Sequence, residues 1–507
     1  VTALEQEYFM LALQVSCVSF AHCDAAPLFS KVELHLGPGL HGLVGENGSG
    51  KTTLLRLLEG GLAPDAGAIV LRPAGARAIL CPQTVEHPSE GARALAASRE
   101  ALAARLRGQL RLDPEALSRW PSLSPGERKR WQIGAALAEE PELLLLDEPS
   151  NHLDAAGRAL LLDALARFRG IGVIVSHDRA LLEALTRSTI RVHAGAVTHY
   201  PGPYGEARAA WEQEARARAE AHARASSEAR AAARRLDAAR RERAHAERQL
   251  SSKQRMKDRH DHDARGVGAK IRAEWAEARI GRVVGVRRAE LERREAAIPA
   301  FEVDPTLGRS LFVDYARAPS PRLFALDEDE LRVGPRPLLR DLRLLVGRED
   351  RVWITGANGA GKTTLLRALL ASARLPPERV LFVPQDLSAH EERVVLATIR
   401  ALPPRERGRV LSLVAALGVD PDRLLVSRAP SPGEARKAWI ALGLGRHAWA
   451  LALDEPTNHL DLPSIERLEA ALGAYPGALL LVSHDEAFAA RCTQRVWRVG
   501  EGKVEVQ

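Results

Sequence analysis

Short apolar runs recur along the chain and stop abruptly at glycine, aspartate or serine. Leu40 to Val44 and Arg351 to Thr355 are short apolar strands that run into glycine-rich turns, whereas Leu143 to Leu146 and Ile171 to Val175 in the first half, and Leu451 to Leu453 and Leu479 to Val482 in the second, are apolar without alternation. Strands buried on both faces have that pattern, because helices cover both sides of a parallel sheet. Leu54 to Leu58 and Leu365 to Leu370 follow glycine-rich turns and begin helices. Each half therefore reads as an α/β domain. Between them, residues 206 to about 298 lack strand patterning and are dominated by Ala, Arg and Glu, all good helix formers. Two helices with little apolar periodicity are predicted there: Glu206 to Leu250, roughly 65 Å at 1.5 Å per residue, and Ala269 to Ala297. Ser251, Ser252, Gly266 and Gly268 bracket the tip of the hairpin. The expected domains are 11–205, 206–300 and 310–507.

The two α/β halves are copies of one pattern. Gly45-Glu46-Asn47-Gly48-Ser49-Gly50-Lys51-Thr52-Thr53 returns as Gly356-Ala357-Asn358-Gly359-Ala360-Gly361-Lys362-Thr363-Thr364, 311 residues later. Ser124-Pro125-Gly126-Glu127 precedes Asp147-Glu148-Pro149, and Ser431-Pro432-Gly433-Glu434 precedes Asp454-Glu455-Pro456, with 23 residues from serine to aspartate both times. From that aspartate to His177 or His484, each inside Ser-His-Asp, is 30 residues in both halves. Chance matches to single motifs do not reproduce order and spacing together.

These motifs carry phosphate chemistry. A glycine-rich loop between strand and helix lets backbone N–H groups close around phosphate oxygens, with Lys51 and Lys362 pairing to the β and γ phosphates. Thr52 and Thr363 offer hydroxyls to Mg²⁺, and Asp147 and Asp454 close strands whose ends hold the same ion directly or through water. Glu148 and Glu455 are placed to orient and polarise an attacking water, and His177 and His484 to contact the γ-phosphate. Gln83 and Gln385, each after a short strand and a proline, complete the magnesium shell.

Length and charge sharpen the picture. At 507 residues the chain exceeds one core, and 46% hydrophobic with 27% charged residues is ordinary globular composition. Glu5 and Glu7 precede the first apolar run, which does not read as a signal peptide, and no eighteen consecutive residues are apolar, so a cytoplasmic protein without a membrane span is expected. Cys17, Cys23, Cys81 and Cys492 are scattered, the pattern of reduced thiols. Residues 206 to 299 hold 24 Lys and Arg against 16 Asp and Glu, a net +8, whereas the rest of the chain has 48 against 49. All the excess positive charge sits in the hairpin, whose tip runs Lys253-Gln254-Arg255-Met256-Lys257-Asp258-Arg259-His260. With few aromatic residues, such a tip suits a phosphate backbone rather than stacked bases.

Loop, glutamine, Ser-x-Gly-Glu signature, Asp-Glu-Pro segment and histidine resemble the ATP-binding cassette ATPases over about 400 of the 507 residues. The glutamate closing each signature, the tandem Asp-Glu-Pro-Ser/Thr-Asn-His-Leu-Asp segments, the lack of a membrane domain and the basic hairpin resemble the ABC-F proteins in particular. In that family two cassettes face each other head to tail. The resemblance implies that Lys51, Asp147, Glu148 and His177 share an ATP with Ser431 and Gly433, while Lys362, Asp454, Glu455 and His484 share theirs with Ser124 and Gly126. It also implies a monomer whose linker enters the tRNA exit site of the ribosome, contacting ribosomal RNA and tRNA, to modulate translation or protect against ribosome-targeting antibiotics.

Two departures from the family pattern stand out. Pro125 and Pro432 replace the first signature glycine and remove one N–H donor. Phe20 offers an adenine platform in the first half, whereas the region of Leu331 and Val333 has no aromatic residue. Ser124 follows Gln83 by only 41 positions, too few for the additional helical arm of some relatives. Two other readings use the same motifs: a twin-cassette subunit of a membrane importer, and an ATP-gated DNA-binding protein.

Overall fold

The computed structural model describes residues 11–22, 27–151, 153–250, 267–298, 312, 314–373, 375–427, 430–458 and 460–507. The hairpin tip at 253–260, together with Ser251, Ser252, Gly266 and Cys23, lies outside them. The chain forms two compact units, one of Val1–Ala207 with Pro305–Gln507 and one of Arg208–Asp304.

The N-terminal half of the larger unit runs β1 (Ala12–Phe20), β2 (Phe29–Leu36), β3 (Gly39–Gly45), α1 (Lys51–Glu59), β4 (Ala66–Arg72) and β5 (Ala78–Cys81). A helical stretch follows: α2 (Glu90–Ala97), α3 (Ala101–Leu110) and α4 (Pro125–Ala138). The half ends with β6 (Leu143–Asp147), α5 (Ala155–Leu165), β7 (Ile171–Val175), α6 (Arg179–Leu185), β8 (Thr186–His193) and β9 (Ala196–Pro201). Its main sheet has the order β5-β6-β7-β3-β8-β9, all parallel except the β8–β9 pair. β6 and β7 are buried at every position, which is why their sequences show no alternation. A smaller antiparallel sheet, β2-β1-β4, covers α1 and one face of the main sheet through Leu13, Phe29, Leu36 and Leu54. On the other face, Leu106, Leu110, Trp120 and Trp131 pack the helical stretch over Leu144, Leu146 and Ile174.

Two long helices follow, α7 (Tyr204–Leu250) and α8 (Val267–Ala296). Within the smaller unit, Arg235 pairs with Glu290 at 3.3 Å and Arg294 with Glu228, tying one helix to the other. The expectation of little apolar periodicity needs correction for α7. Ala229, Ala232, Leu236 and Ala239 are buried at a 3-4-3 spacing, a narrow seam of the coiled-coil kind. Alanine hides such a seam in a sequence, because it is equally at home on an exposed helical face.

The C-terminal half repeats the first: β10 (Arg322–Val333), β11 (Arg336–Gly347), β12 (Arg351–Thr355), α9 (Lys362–Ala371) and β13 (Val380–Val383). Then come α10 (Ala389–Ala401), α11 (Pro404–Ala416), α12 (Pro421–Val426), α13 (Pro432–Gly445), β14 (Ala450–Asp454), α14 (Leu462–Ala474), β15 (Ala478–Val482), α15 (Glu486–Cys492), β16 (Arg495–Gly500) and β17 (Lys503–Val506). The sheet order β13-β14-β15-β12-β16-β17 matches the first sheet strand for strand. The small antiparallel sheet here is the β10–β11 pair, since the chain passes from α9 to β13 without a counterpart of β4 among the described residues. Among those residues no helix is long and apolar enough to cross a membrane.

Candidate nucleotide sites

Both glycine-rich loops run from a central strand into a helix that starts on the lysine of the motif, α1 at Lys51 and α9 at Lys362. The last glycine before each helix must be glycine for two reasons. Gly50 and Gly361 have φ 99° and 104°, and an added Cβ would lie 2.6 Å from the Phe29 ring or 2.7 Å from Leu338. Gly45, Gly48, Gly356 and Gly359 also have positive φ, which curls the loops around the helix end. Lys51 donates from Nζ to the carbonyls of Gly45 and Glu46, both at 2.9 Å, and Lys362 to those of Gly356 and Ala357 at 2.8 and 3.0 Å. Burial pushes both ammonium groups below the usual lysine range. Each lysine thus closes its own loop, ready to turn to an anion.

The next residue meets the strand-end aspartate. Thr52 Oγ1 donates to Asp147 Oδ2 at 2.8 Å, and Thr363 Oγ1 to Asp454 Oδ2 at 2.7 Å. Burial raises the pKa of both aspartates. Asp454, only 1% exposed, keeps Oδ1 buried without a hydrogen-bond partner. A hydroxyl, a carboxylate and an unpaired hard oxygen are the donors a small divalent cation such as Mg²⁺ takes, leaving its other positions for phosphate and water. Gln83 and Gln385 line the same cleft as these groups.

Glu148 and Glu455 follow in the left-handed region, with φ 49° and 47°, uncommon for a non-glycine residue. Their N–H groups are fixed to Val175 O and Val482 O, each at 2.9 Å. The histidines complete the arrangement unequally. His177 Nε2 lies 3.0 Å from Glu148 Oε1, whereas His484 Nε2 lies 3.5 Å from Glu455 Oε1 and 2.9 Å from Asn358 Oδ1. Burial lifts Glu455 to a pKa of about 7 and lowers His484 to about 4.

Ser124 and Ser431 cap the helices α4 and α13. Each serine hydroxyl donates to the glutamate three residues on, at 2.7 Å for Glu127 and 2.8 Å for Glu434, and accepts from that residue's N–H. This capping box is the physical content of the signature glutamate. Pro125 and Pro432 occupy the first helical position, where an N–H has no partner within the helix.

Both loops, both signature ends, both carboxylate pairs and both histidines line one cleft of about 1680 Å³. The halves touch across it. Asp461 Oδ2 accepts from Asn47 N at 2.6 Å, Arg467 pairs with Glu46 at 3.3 Å, and Arg179 pairs with Glu469 at 2.8 Å. Tyr204 donates to Glu466 at 2.7 Å. Ser431 and Gly433, at the start of α13, line the same cleft as Asn47, Gly48, Gly50 and Lys51 of the first loop.

One expectation fails. Phe20 pairs with Phe29 across β1 and β2 and is buried in the core at 8% exposure, so its ring has no face to offer adenine. The cleft there is lined instead by His22, which bonds Thr53 Oγ1 at 3.3 Å, and by Leu28. On the other side Val333 and Leu338 line it.

The sequence motifs also omit two buried cations. Lys129, five residues after Ser124 and 3% exposed, donates to Pro82 O at 2.6 Å and Asp147 O at 3.0 Å. Arg436, five residues after Ser431, donates to Glu455 O at 2.9 Å and also to Gln385 O. Each ties its signature helix to its glutamine turn and its carboxylate strand. Their equal offset in the repeat is the signal that marks them.

Two such sites on a doubled α/β fold define a tandem ATP-binding cassette ATPase, a protein that binds and hydrolyses ATP. A family model described as ABC transporter matches residues 29–151 and 339–458. The chain belongs to the ABC-F family of tandem ATPases. It is 33% identical to the tylosin resistance ATP-binding protein TlrC of Streptomyces fradiae, over 95% of this chain and 96% of that one. It is 26% identical to the ribosome protection protein VmlR of Bacillus subtilis, over 92% and 82%. The solved structure titled RNase-L Inhibitor shares the fold, with a TM-score of 0.58 at 19% identity over 97% of this chain and 89% of that one.

Proposed function

We propose that this chain, as a monomer, binds two ATP molecules with Mg²⁺ between its cassettes and in that state engages the ribosome through residues 206–300, protecting it from an antibiotic or modulating translation. The observation that carries the reading is the contact of Asp461 with the Asn47 N–H, which sets the segment after one Asp-Glu-Pro motif against the opposite glycine-rich loop. ATP held there would be gripped by both halves, so hydrolysis would loosen what binding joins.

In this reading Gly45, Asn47, Gly48, Gly50, Lys51, Thr52 and Thr53 cradle the first nucleotide, with Ser431 and Gly433 closing over it. Gly356, Asn358, Gly359, Gly361, Lys362, Thr363 and Thr364 take the second, with Ser124 and Gly126. Thr52, Asp147 and Gln83, and likewise Thr363, Asp454 and Gln385, would hold Mg²⁺, which neutralises charge on the phosphates. Glu148 and Glu455 orient water, and His177 and His484 sense the γ-phosphate. Support for the ribosome as partner comes from the names of two relatives, which speak of tylosin resistance and ribosome protection, and from the net +8 of the linker, suited to RNA backbone at the tRNA exit site.

The test uses the Glu148→Gln, Glu455→Gln double variant, which should bind ATP without hydrolysing it. Sedimentation with ribosomes only when ATP is added is the expected result. Pelleting with DNA or with membranes instead would point to the rival readings and end this one.

A further inference from the structure

Outside the motifs, Arg158 is a further cation that lines the cleft holding both sites. Arg158 stands on α5, four residues after Asp154, with its side chain 19% exposed. Its Nε pairs with Asp178 Oδ2 at 3.0 Å, and its Nη1 donates to the main-chain oxygen of His484 at 3.3 Å. Asp178 itself follows His177 and caps α6 by accepting from Leu181 N at 3.1 Å. One guanidinium therefore spans from the histidine turn of the first cassette to that of the second. The planar guanidinium presents N–H groups in two fixed directions, one toward each turn.

The repeat does not return the favour. Four residues after Asp461 stands Ile465, 2% exposed in the core. The first site therefore has no cation at the matching place. Arg158 also acts at a distance on Glu455, favouring its carboxylate form against burial.

We infer that Arg158 is a positioning residue supplied by the first cassette to the second ATP site alone, where it fixes the turn that presents His484 to Asn358 and Glu455. The inference rests on the pairing of cassettes proposed above. Without Arg158 the turn loses an anchor from across the cleft, and the His484 ring samples orientations that miss the γ-phosphate. The effect falls on the chemical step more than on ATP affinity, because the loop, Lys362 and the signature that grip the nucleotide are untouched.

Single-site backgrounds test this. Glu148→Gln leaves hydrolysis to the second site and Glu455→Gln leaves it to the first. Each should retain part of the ATPase activity; if either abolishes all of it, the proposed two-site reading fails before Arg158 is touched. Adding Arg158→Ile, the residue at the matching position, to Glu148→Gln should lower kcat about tenfold, the scale of one hydrogen bond involving a charged group, with KM for ATP within about twofold. In Glu455→Gln the same change should cost at least fivefold less. Arg158→Lys should recover only part of kcat, and it keeps the test alive if the isoleucine variant does not fold. Equal losses in both backgrounds, a rise in KM in place of a fall in kcat, or no loss at all would overturn the inference.

Discussion

Asp154 and Asp461 hold the same place in the two repeats, and replacing each by alanine should have unequal effects. Asp154→Ala removes a helix cap, in which Oδ1 accepts from Gly157 N at 2.8 Å, a loss of about 1 kcal/mol. Asp461→Ala removes the corresponding cap, Oδ1 from Ser464 N at 2.8 Å, and in addition the bond from Asn47 N to Oδ2 at 2.6 Å. A hydrogen bond to a charged group contributes about 1.5–3 kcal/mol. The same change takes from buried Lys437 the counter-charge that most favours its protonated form. The cap belongs to folding of one half, whereas the Asn47 bond belongs to closure of the two. The expected difference in closure is therefore about 2 kcal/mol, or about 30-fold in an equilibrium constant. Fluorophores on the two cassettes, in the Glu148→Gln, Glu455→Gln background, would report closure as ATP is added. The half-saturating ATP concentration should rise by about 30-fold for Asp461→Ala and by less than about threefold for Asp154→Ala. Equal shifts would refute the reasoning, because they would mean that the Asn47 contact contributes nothing beyond a cap.

Three further outcomes are expected. Glu455, with a folded-state pKa of about 7 against an ordinary value near 4.5, binds more protons folded than unfolded. Its contribution to stability is present at low pH and is lost as pH rises through that interval, so the melting temperature of nucleotide-free protein should fall more steeply from pH 5 to 8 than that of Glu455→Gln. Gly50→Ala sets a Cβ 2.6 Å from the Phe29 ring in a left-handed backbone and should weaken ATP binding at the first site by at least about tenfold; Gly75→Ala, equally left-handed but with open space around it, is the control in a titration with labelled ATP. Lys129→Met leaves the carbonyls of Pro82 and Asp147 without their donor, a cost of about 1–3 kcal/mol that should appear as a lower melting temperature and as lost hydrolysis in the Glu455→Gln background more than in Glu148→Gln.

What was legible in the sequence follows from what each pattern records. Parallel strands such as Ile171–Val175 are buried on both faces and so leave an unbroken apolar run. Phosphate loops need glycine for steric reasons that survive in any context. Phe20 misled because an aromatic residue upstream of the loop says nothing about which way β1 turns it, and only pairing with Phe29 decides that. Arg158 escaped because comparing repeats draws attention to identities, whereas its meaning lies in a difference from Ile465. Contacts across the halves, such as Arg179 with Glu469, join residues 290 positions apart and leave no local trace.

The capping boxes at Ser124 and Ser431 carry a consequence for how tightly ATP can be held. Each serine hydroxyl already gives its proton to a resident acid, Glu127 or Glu434, seated at the positive end of its helix. That acid is a built-in competitor for the place a γ-phosphate would take. If the signature serines meet the γ-phosphate as proposed, capture of the nucleotide would be a displacement, one anion traded for another, and the helix end would lose little when the visitor leaves. A grip made by exchange would be easily undone, in keeping with the ATP-dependent engagement proposed above.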